Sequence, residues 1–184
     1  TMYEAVQRES KATRESAGIL DASTLGKIDI QGTDASEFLN RVYTNAWSKL
    51  AIGKCRYGLM LNEDGMVYDD GVTTRLDENH YIMTTTTGGA ANVLGKLEDY
   101  LQTEWPELDV YLSSVTDHYA TASICGPNSK KILNKLIPDL DLSDESFPHM
   151  SFKNAKIDNI KCRIMRISFT GEHSYEINIQ ANYG

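Results

Sequence analysis

An α+β fold is the class this sequence predicts. Three observations predict it. Strand-like runs come in neighbouring pairs joined by polar turns, helix-like runs are interspersed among those pairs, and one pair is closed by Asp64-Gly65, a strong hairpin signal. Together they point to mixed or antiparallel sheets with flanking helices, and away from a doubly wound parallel sheet.

Each element follows in order. Residues 3–17 read as a helix of mixed charge whose apolar face is modest (Tyr3, Val6, Ala12, Ala17), ended by Gly18. Ile19-Leu20-Asp21 and then 26–31, where apolar and polar residues alternate, read as strands. Thr33-Asp34 supplies an N-cap and Glu37 an acidic first turn for a helix to Val42, with Phe38, Leu39 and Val42 as its buried stripe. Residues 55–62 and 66–75 form the hairpin, and 81–85 a further strand rich in threonine. A helix over 90–102 carries Val93, Leu94, Leu97, Tyr100 and Leu101 at helical spacing and stops at Trp105-Pro106. Residues 110–114 and 119–125 read as a strand pair, and Gly126-Pro127-Asn128 opens a helix to Leu136 with Ile132, Leu133 and Leu136 inward. A proline-punctuated loop covers 138–150, and 162–168 and 174–180 are the last two strands. The chain reads as one region over 1–184, with a possible division into 1–50 plus 110–184 and 51–109. It stops directly after a strand, which suggests a piece of a longer polypeptide.

The hairpin holds the most unusual local feature. Its second strand carries Asp69 and Asp70 where Val or Thr would be ordinary. Asp is disfavoured in strands, and a partly buried carboxylate costs free energy unless it is paired or hydrogen-bonded. Alternation sends the two side chains to opposite faces. The ordinary reading is a pair of solvated strand-end aspartates closing a loop before Gly71. The functional reading puts one of them in a cleft.

Composition narrows the classes. The chain is 41% hydrophobic and 24% charged, as in globular proteins, and long enough to bury a sizeable core. The net charge of −8, with no basic run, argues against nucleic acid as a partner. No apolar run is long enough for a membrane span, and the polar start lacks the apolar stretch of a signal peptide, so a cytoplasmic location is expected. Cys55, Cys125 and Cys162 are odd in number and widely spaced, with no disulfide framework and no Cys-x-x-Cys pair. They read as buried reduced thiols.

Most motifs are absent: no Walker loop, no Gly-x-Ser-x-Gly elbow, no EF-hand loop. Gly88-Gly89 is too short a signal for a phosphate cradle. The four histidines lack the i, i+4 spacing or Cys neighbours of a metal site, so no metal is expected. One constellation survives. Glu176 lies between Tyr175 and Ile177 in an apolar strand. It reads either as an outward-facing strand residue or as a carboxylate aimed at a ligand with two adjacent N–H donors, such as a pterin or guanine edge. Phe169 and Tyr175 then offer flat apolar walls.

These residues resemble the aminomethyltransferase family, the T-protein of the glycine cleavage system. The resemblance rests on Thr44-Asn45, Gly65-Met-Val-Tyr-Asp-Asp70 and Phe169-Thr-Gly-Glu-His-Ser-Tyr-Glu176. Further stretches (37–47, 55–60, 69–75, 83–88, 101–106 and 166–172) resemble the branch found in the carboxy-terminal half of the α subunit of heterotetrameric sarcosine oxidase. They cover nearly the whole chain.

The resemblance implies a tetrahydrofolate-binding fold. It places Asp70 beside the folate nitrogens that carry the one-carbon unit, as candidate base, and Glu176 on the pterin. Thr86 falls where the T-proteins carry Asn against the pterin, and Phe169 where they carry Tyr. Both departures fit the sarcosine oxidase branch and put a lipoyl-arm reaction in doubt. The implied activity is capture of the one-carbon unit of sarcosine oxidation as 5,10-methylenetetrahydrofolate. The implied partners are the other sarcosine oxidase subunits. Flavin and NAD would lie only on those subunits or on regions this chain does not contain, and the family's carboxy-terminal barrel is also missing. The chain alone is therefore expected to be inactive and to bind folate weakly or not at all. The alternatives are a glycine-cleavage-type aminomethyltransferase, another folate-dependent demethylase, and a non-catalytic folate-binding or assembly module. The assembly factors' Lys-Gly-Cys-x-x-Gly-Gln-Glu motif has no counterpart here.

Overall fold

The computed structural model describes residues 1–184 and divides them into two compact units, Thr24–Asp117 and Thr1–Ser23 with His118–Gly184. These are called the continuous and the split unit. The joints fall at 23/24 and 117/118, where the sequence suggested 50 and 110. The reason is strand pairing: residues 26–31 pair with 80–85 and 111–114, so they belong with the hairpin.

The continuous unit holds β2 (Gly26–Gln31), α2 (Ala35–Val42), β3 (Cys55–Leu61), β4 (Val67–Asp77), β5 (His80–Thr85), α3 (Ala90–Asp99) and β6 (Tyr111–Ser114). Its antiparallel sheet runs β3-β4-β5-β2-β6. The hairpin forms as read. Asn62 N donates to Met66 O, and Gly65 takes φ +81°, a region open to glycine without strain. Ile28, Ile30, Phe38, Leu39, Trp47, Met60, Tyr81, Val93 and Leu97 form the core, which α2 and α3 help to build. Helix α2 departs from its expected cap. The Asp34 carboxylate accepts from Asp109 N at 2.9 Å instead of from its own first turn, and Val42 is only partly buried. Helix α3 ends in a π turn over Tyr100–Glu104, closed by Trp105 N to Tyr100 O at 2.9 Å.

The split unit holds α1 (Met2–Glu15), β1 (Gly18–Asp21), β7 (Tyr119–Cys125), α4 (Ser129–Leu136), β8 (Ser151–Ile157), β9 (Ile160–Arg166) and β10 (Ser174–Gln180). Its antiparallel sheet runs β1-β7-β10-β9-β8. Ile124, Leu133, Phe147, Cys162, Ile164, Tyr175 and Ile177 make its core. Helix α1 carries a Thr1/Glu4 capping box and buries no residue.

Three expectations are corrected here. Strands β6 and β7 do not pair. β6 joins β2, β7 lies between β1 and β10, and the 3-10 turn Thr116–His118 separates two strands that are neighbours only in sequence. Strand β8 was not expected at all. It forms a hairpin with β9 through Asp158-Asn159, both at positive φ. In α4 only Leu133 of the expected apolar trio is buried, with Ser129 one turn before it. Ile132 and Leu136 are 36% and 45% exposed, because the helix meets its sheet along a single 129/133 line.

Candidate functional site

In the continuous unit the site is built on β4. Asp69 sits opposite Met60 of β3 and Asp70 opposite Leu59. Alternation turns Asp69 to the Met60 side, where it is 4% exposed, and leaves Asp70 half-buried on the other face. Asp69 is held by the segment after β5. Thr86 Oγ1 donates to Asp69 Oδ1 at 2.5 Å, and Thr86 N donates to the same oxygen at 3.3 Å. Gly89 makes room for this pair, since a Cβ there would stand 2.7 Å from Thr86 Oγ1 and 3.0 Å from Asp69 Oδ1. Burial pushes the Asp69 carboxyl above the usual carboxylate range. The Thr86 hydrogen bonds oppose that shift, and the Asp70 charge adds to it.

On the other face, the Tyr57 hydroxyl donates to Asp70 Oδ2 at 2.9 Å, which raises the Tyr57 phenol above its ordinary value. Tyr57 is carried on a pinned strand. Leu59 N donates to Thr44 Oγ1 at 3.1 Å, and Asn45 Nδ2 donates to Tyr57 O at 2.7 Å. Asn45 reaches that carbonyl from φ +96°, a region Asn tolerates better than most residues. Tyr43, bridged to Met60, is buried with its hydroxyl unpartnered. Burial first, then the charges of Asp69 and Asp70, push its phenol up. The aspartate pair thus lies between two tyrosines, one buried and one exposed.

In the split unit, Glu176 occupies the middle of β10, opposite Ser123 of β7 and Met165 of β9, and is 7% exposed. It shares a sheet face with Ser174 and Asn178. Tyr175 takes the opposite face. It is 1% exposed, packs at 5.8 Å from the Phe147 ring, and its hydroxyl lies 2.8 Å from His173 Nε2. Burial pushes the Tyr175 phenol up and the His173 imidazole down. The expected Tyr175 wall beside Glu176 is corrected on this point, because strand alternation commits Tyr175 to the core. Phe169 stands 85% exposed in the turn after β9.

The structure therefore joins Asp69 to Thr86 on one face of β4 and Asp70 to Tyr57 on the other, all in the continuous unit. Glu176, Phe169 and Tyr175 belong to the split unit. Reasoning from residues missed Tyr57. The turn alone would set Leu59 opposite Asp69; a register shift between Met60 and Leu61 sets it opposite Asp70 instead and brings Tyr57 to the Asp70 face, a bulge the sequence did not signal. No group of three or more His, Cys, Asp or Glu side chains is arranged to hold a metal ion, and no helix is long and apolar enough to cross a membrane.

Comparison with known proteins gives the class of this fold. Residues 1–184 match the GCVT N-terminal domain, and the chain belongs to that family. The solved aminomethyltransferase T of the glycine cleavage system of Bartonella henselae superposes with a TM-score of 0.83 at 25% identity, covering 97% of this chain and 46% of that one. Among curated sequences, the aminomethyltransferase of Listeria monocytogenes is 33% identical over 95% of this chain and 46% of its own length. Similarity is higher to the sarcosine oxidase subunit alpha of Corynebacterium sp. strain U-96, at 56% identity over the whole chain. The chain spans only 19% of that subunit.

Proposed function

We propose that this chain is the tetrahydrofolate-binding part of a sarcosine oxidase α subunit, capturing the one-carbon unit released by sarcosine oxidation as 5,10-methylenetetrahydrofolate. The observation that carries the reading is its end-to-end similarity to such a subunit, which exceeds its similarity to the aminomethyltransferases.

The residues present fit the folate by their chemistry. Glu176 keeps a carboxylate in the middle of a sheet strand, at 7% exposure. Its two acceptor oxygens suit the adjacent N–H donors of a pterin edge. Phe169 offers an exposed flat ring, and Thr86 lies next to the aspartate pair. When bound, tetrahydrofolate supplies the nucleophilic amine that takes up the one-carbon unit.

The remaining work falls to this chain. Tyr57 donates to Asp70 Oδ2, which fixes the carboxylate and leaves Oδ1 to accept a proton, the role of a general base. Asp69 does not share that role. Its carboxylate is buried and engaged by Thr86, so it holds the loop after β5 against β4. Sarcosine itself is oxidised, in this reading, at a flavin outside this chain, with the other sarcosine oxidase subunits as partners. The three buried cysteines, none in a disulfide, suit a reducing, cytoplasmic setting.

Asp70→Asn in the intact α subunit, assembled with its partner subunits, tests the assignment. Oxygen consumption with sarcosine should stay within about twofold of the unaltered enzyme. Folate-dependent formation of methylenetetrahydrofolate should fall at least about 100-fold, the lower range for loss of a general base, with formaldehyde released instead. Unchanged methylenetetrahydrofolate formation would remove Asp70 from the role.

A further inference from the structure

The face of the split-unit sheet that carries Glu176 continues into a feature the proposed reaction does not use. Four polar side chains follow one another across the strands in register: Thr121 of β7, Asn178 of β10, Arg163 of β9 and Asn154 of β8. One step toward the strand ends, Lys156 of β8 sits directly opposite Lys161 of β9. Asn178, Arg163, Asn154, the two lysines and Tyr119 line a cavity of about 580 Å³.

Its electrostatics are one-sided. Three cations line the cavity and no carboxylate does, in a chain whose net charge is −8. None of Lys156, Lys161 and Arg163 takes part in an ion pair within the chain. Like charges directly opposite in a ladder repel, so the Lys156/Lys161 register is unfavourable without a counter-charge.

The hydrogen-bond inventory points the same way. The Arg163 guanidinium is clamped between the rings of Tyr119 and Phe152, at 6.0 and 5.7 Å, which fixes its plane. Its Nε and Nη1 have no acceptor. Asn178 is 6% exposed. Its Oδ1 accepts from Thr121 Oγ1 at 2.8 Å, while its Nδ2 has no acceptor. Buried donors are almost always paired in folded proteins. Here several donors stay unpaired around one cavity, beside two uncompensated ammonium groups. All the unmet groups are donors, and all the unmet charges are positive.

We propose that this cavity is a binding site for a small oxyanion, a carboxylate or phosphate group, held by Arg163, Lys156 and Lys161 with Asn178 as a neutral donor. Arginine in a fixed plane suits oxyanion geometry, and the lysines add charge without directional demand. The proposal is independent of the folate reading, which uses Glu176 and none of these four residues.

The test is isothermal titration of the intact α subunit with inorganic phosphate and, separately, with succinate, at low ionic strength. At least one should bind with a Kd below about 1 mM. Lys156→Ala/Lys161→Ala should weaken that binding at least tenfold, and so should raising the salt to about 0.2 M, where the Debye length is shorter than 10 Å. Both lysines are exposed, so the double variant should keep its circular dichroism spectrum. Arg163→Gln should abolish binding. Phosphate binding alone identifies the site as one for phosphoryl groups, and succinate binding alone as one for carboxylates. Binding of neither anion, or binding indifferent to the lysines, overturns the proposal. Capture of a hexaglutamate peptide without either small anion also overturns it, since the cavity would then be a docking surface for acidic protein segments.

Discussion

Thr86→Val removes one hydroxyl from the candidate site and leaves its shape. The consequence can be worked from the Asp69 geometry. Asp69 is 4% exposed and takes a 2.5 Å hydrogen bond from Thr86 Oγ1 together with a longer one from Thr86 N. Without the hydroxyl, a buried carboxylate loses its shortest donor. Hydrogen bonds to charged groups contribute about 1.5–3 kcal/mol. Thr86 itself lies at the surface, where water compensates in part. A loss of about 1.5–2 kcal/mol follows, which is roughly 1 M in urea midpoint for an m value of about 2 kcal/mol/M. Both tryptophans, Trp47 and Trp105, lie in the continuous unit, so their fluorescence reports the unfolding of the unit that holds Asp69.

The pH dependence has a definite sign. Burial raises the folded-state pKa of Asp69 above its ordinary value of 3.8, so its contribution to stability is complete below that value and is lost as pH rises through the folded pKa. The Thr86 hydrogen bonds oppose the rise. Removing the hydroxyl therefore deepens the loss toward neutral pH and spares the acid range, where Asp69 is protonated in both states. In an Asp69→Asn background the same valine should cost less by about 1 kcal/mol or more, the coupling expected of residues in contact. A Thr86→Val penalty under about 0.5 kcal/mol, or one that does not grow between pH 4 and pH 8, would refute this account of Asp69.

Other perturbations follow from the packing. Gly71→Ala would place a Cβ 1.9 Å from the Thr84 carbonyl oxygen, and backbone cannot yield as a side-chain tip can. We expect at least the ~1–3 kcal/mol of overpacking, read as a lower urea midpoint, whereas Gly65→Ala meets nothing within 4 Å and is penalised only by its positive φ. Leu133→Ala should cost about 2–5 kcal/mol because Leu133 is fully buried, and the half-exposed neighbour Ile132→Ala less than about 1 kcal/mol, as measured by thermal unfolding under circular dichroism. Comparable losses at 132 and 133 would contradict the way α4 sits on its sheet.

The sequence showed the fold best where short-range chemistry decides. The β3/β4 hairpin was legible because Asp64-Gly65 demands a tight turn and the flanking residues alternate. Which strands share a sheet was not, because 110–114 and 119–125 look alike locally and are separated only by long-range pairing. Strand β8 hid behind its polar Lys153, Asn154 and Lys156, although Asp158-Asn159 carried the left-handed turn signal. At the site, alternation separated Asp69 from Asp70 correctly. It did not tell which one turns inward, since that depends on Met60 and Thr86 across the sheet. The same rule would have placed Tyr175 in the core, had Tyr175 and Ile177 been read together against Glu176.

The central claim is that this chain holds tetrahydrofolate through Glu176, and the most direct measurement is the Kd of tetrahydrofolate for the intact α subunit with and without Glu176→Gln. Losing a charge-assisted pair of hydrogen bonds should weaken binding about 10- to 100-fold, equivalent to ~1.4–2.8 kcal/mol, with the circular dichroism spectrum unchanged. An unchanged Kd in a folded Glu176→Gln protein, or no tetrahydrofolate binding by the unaltered subunit, would contradict it.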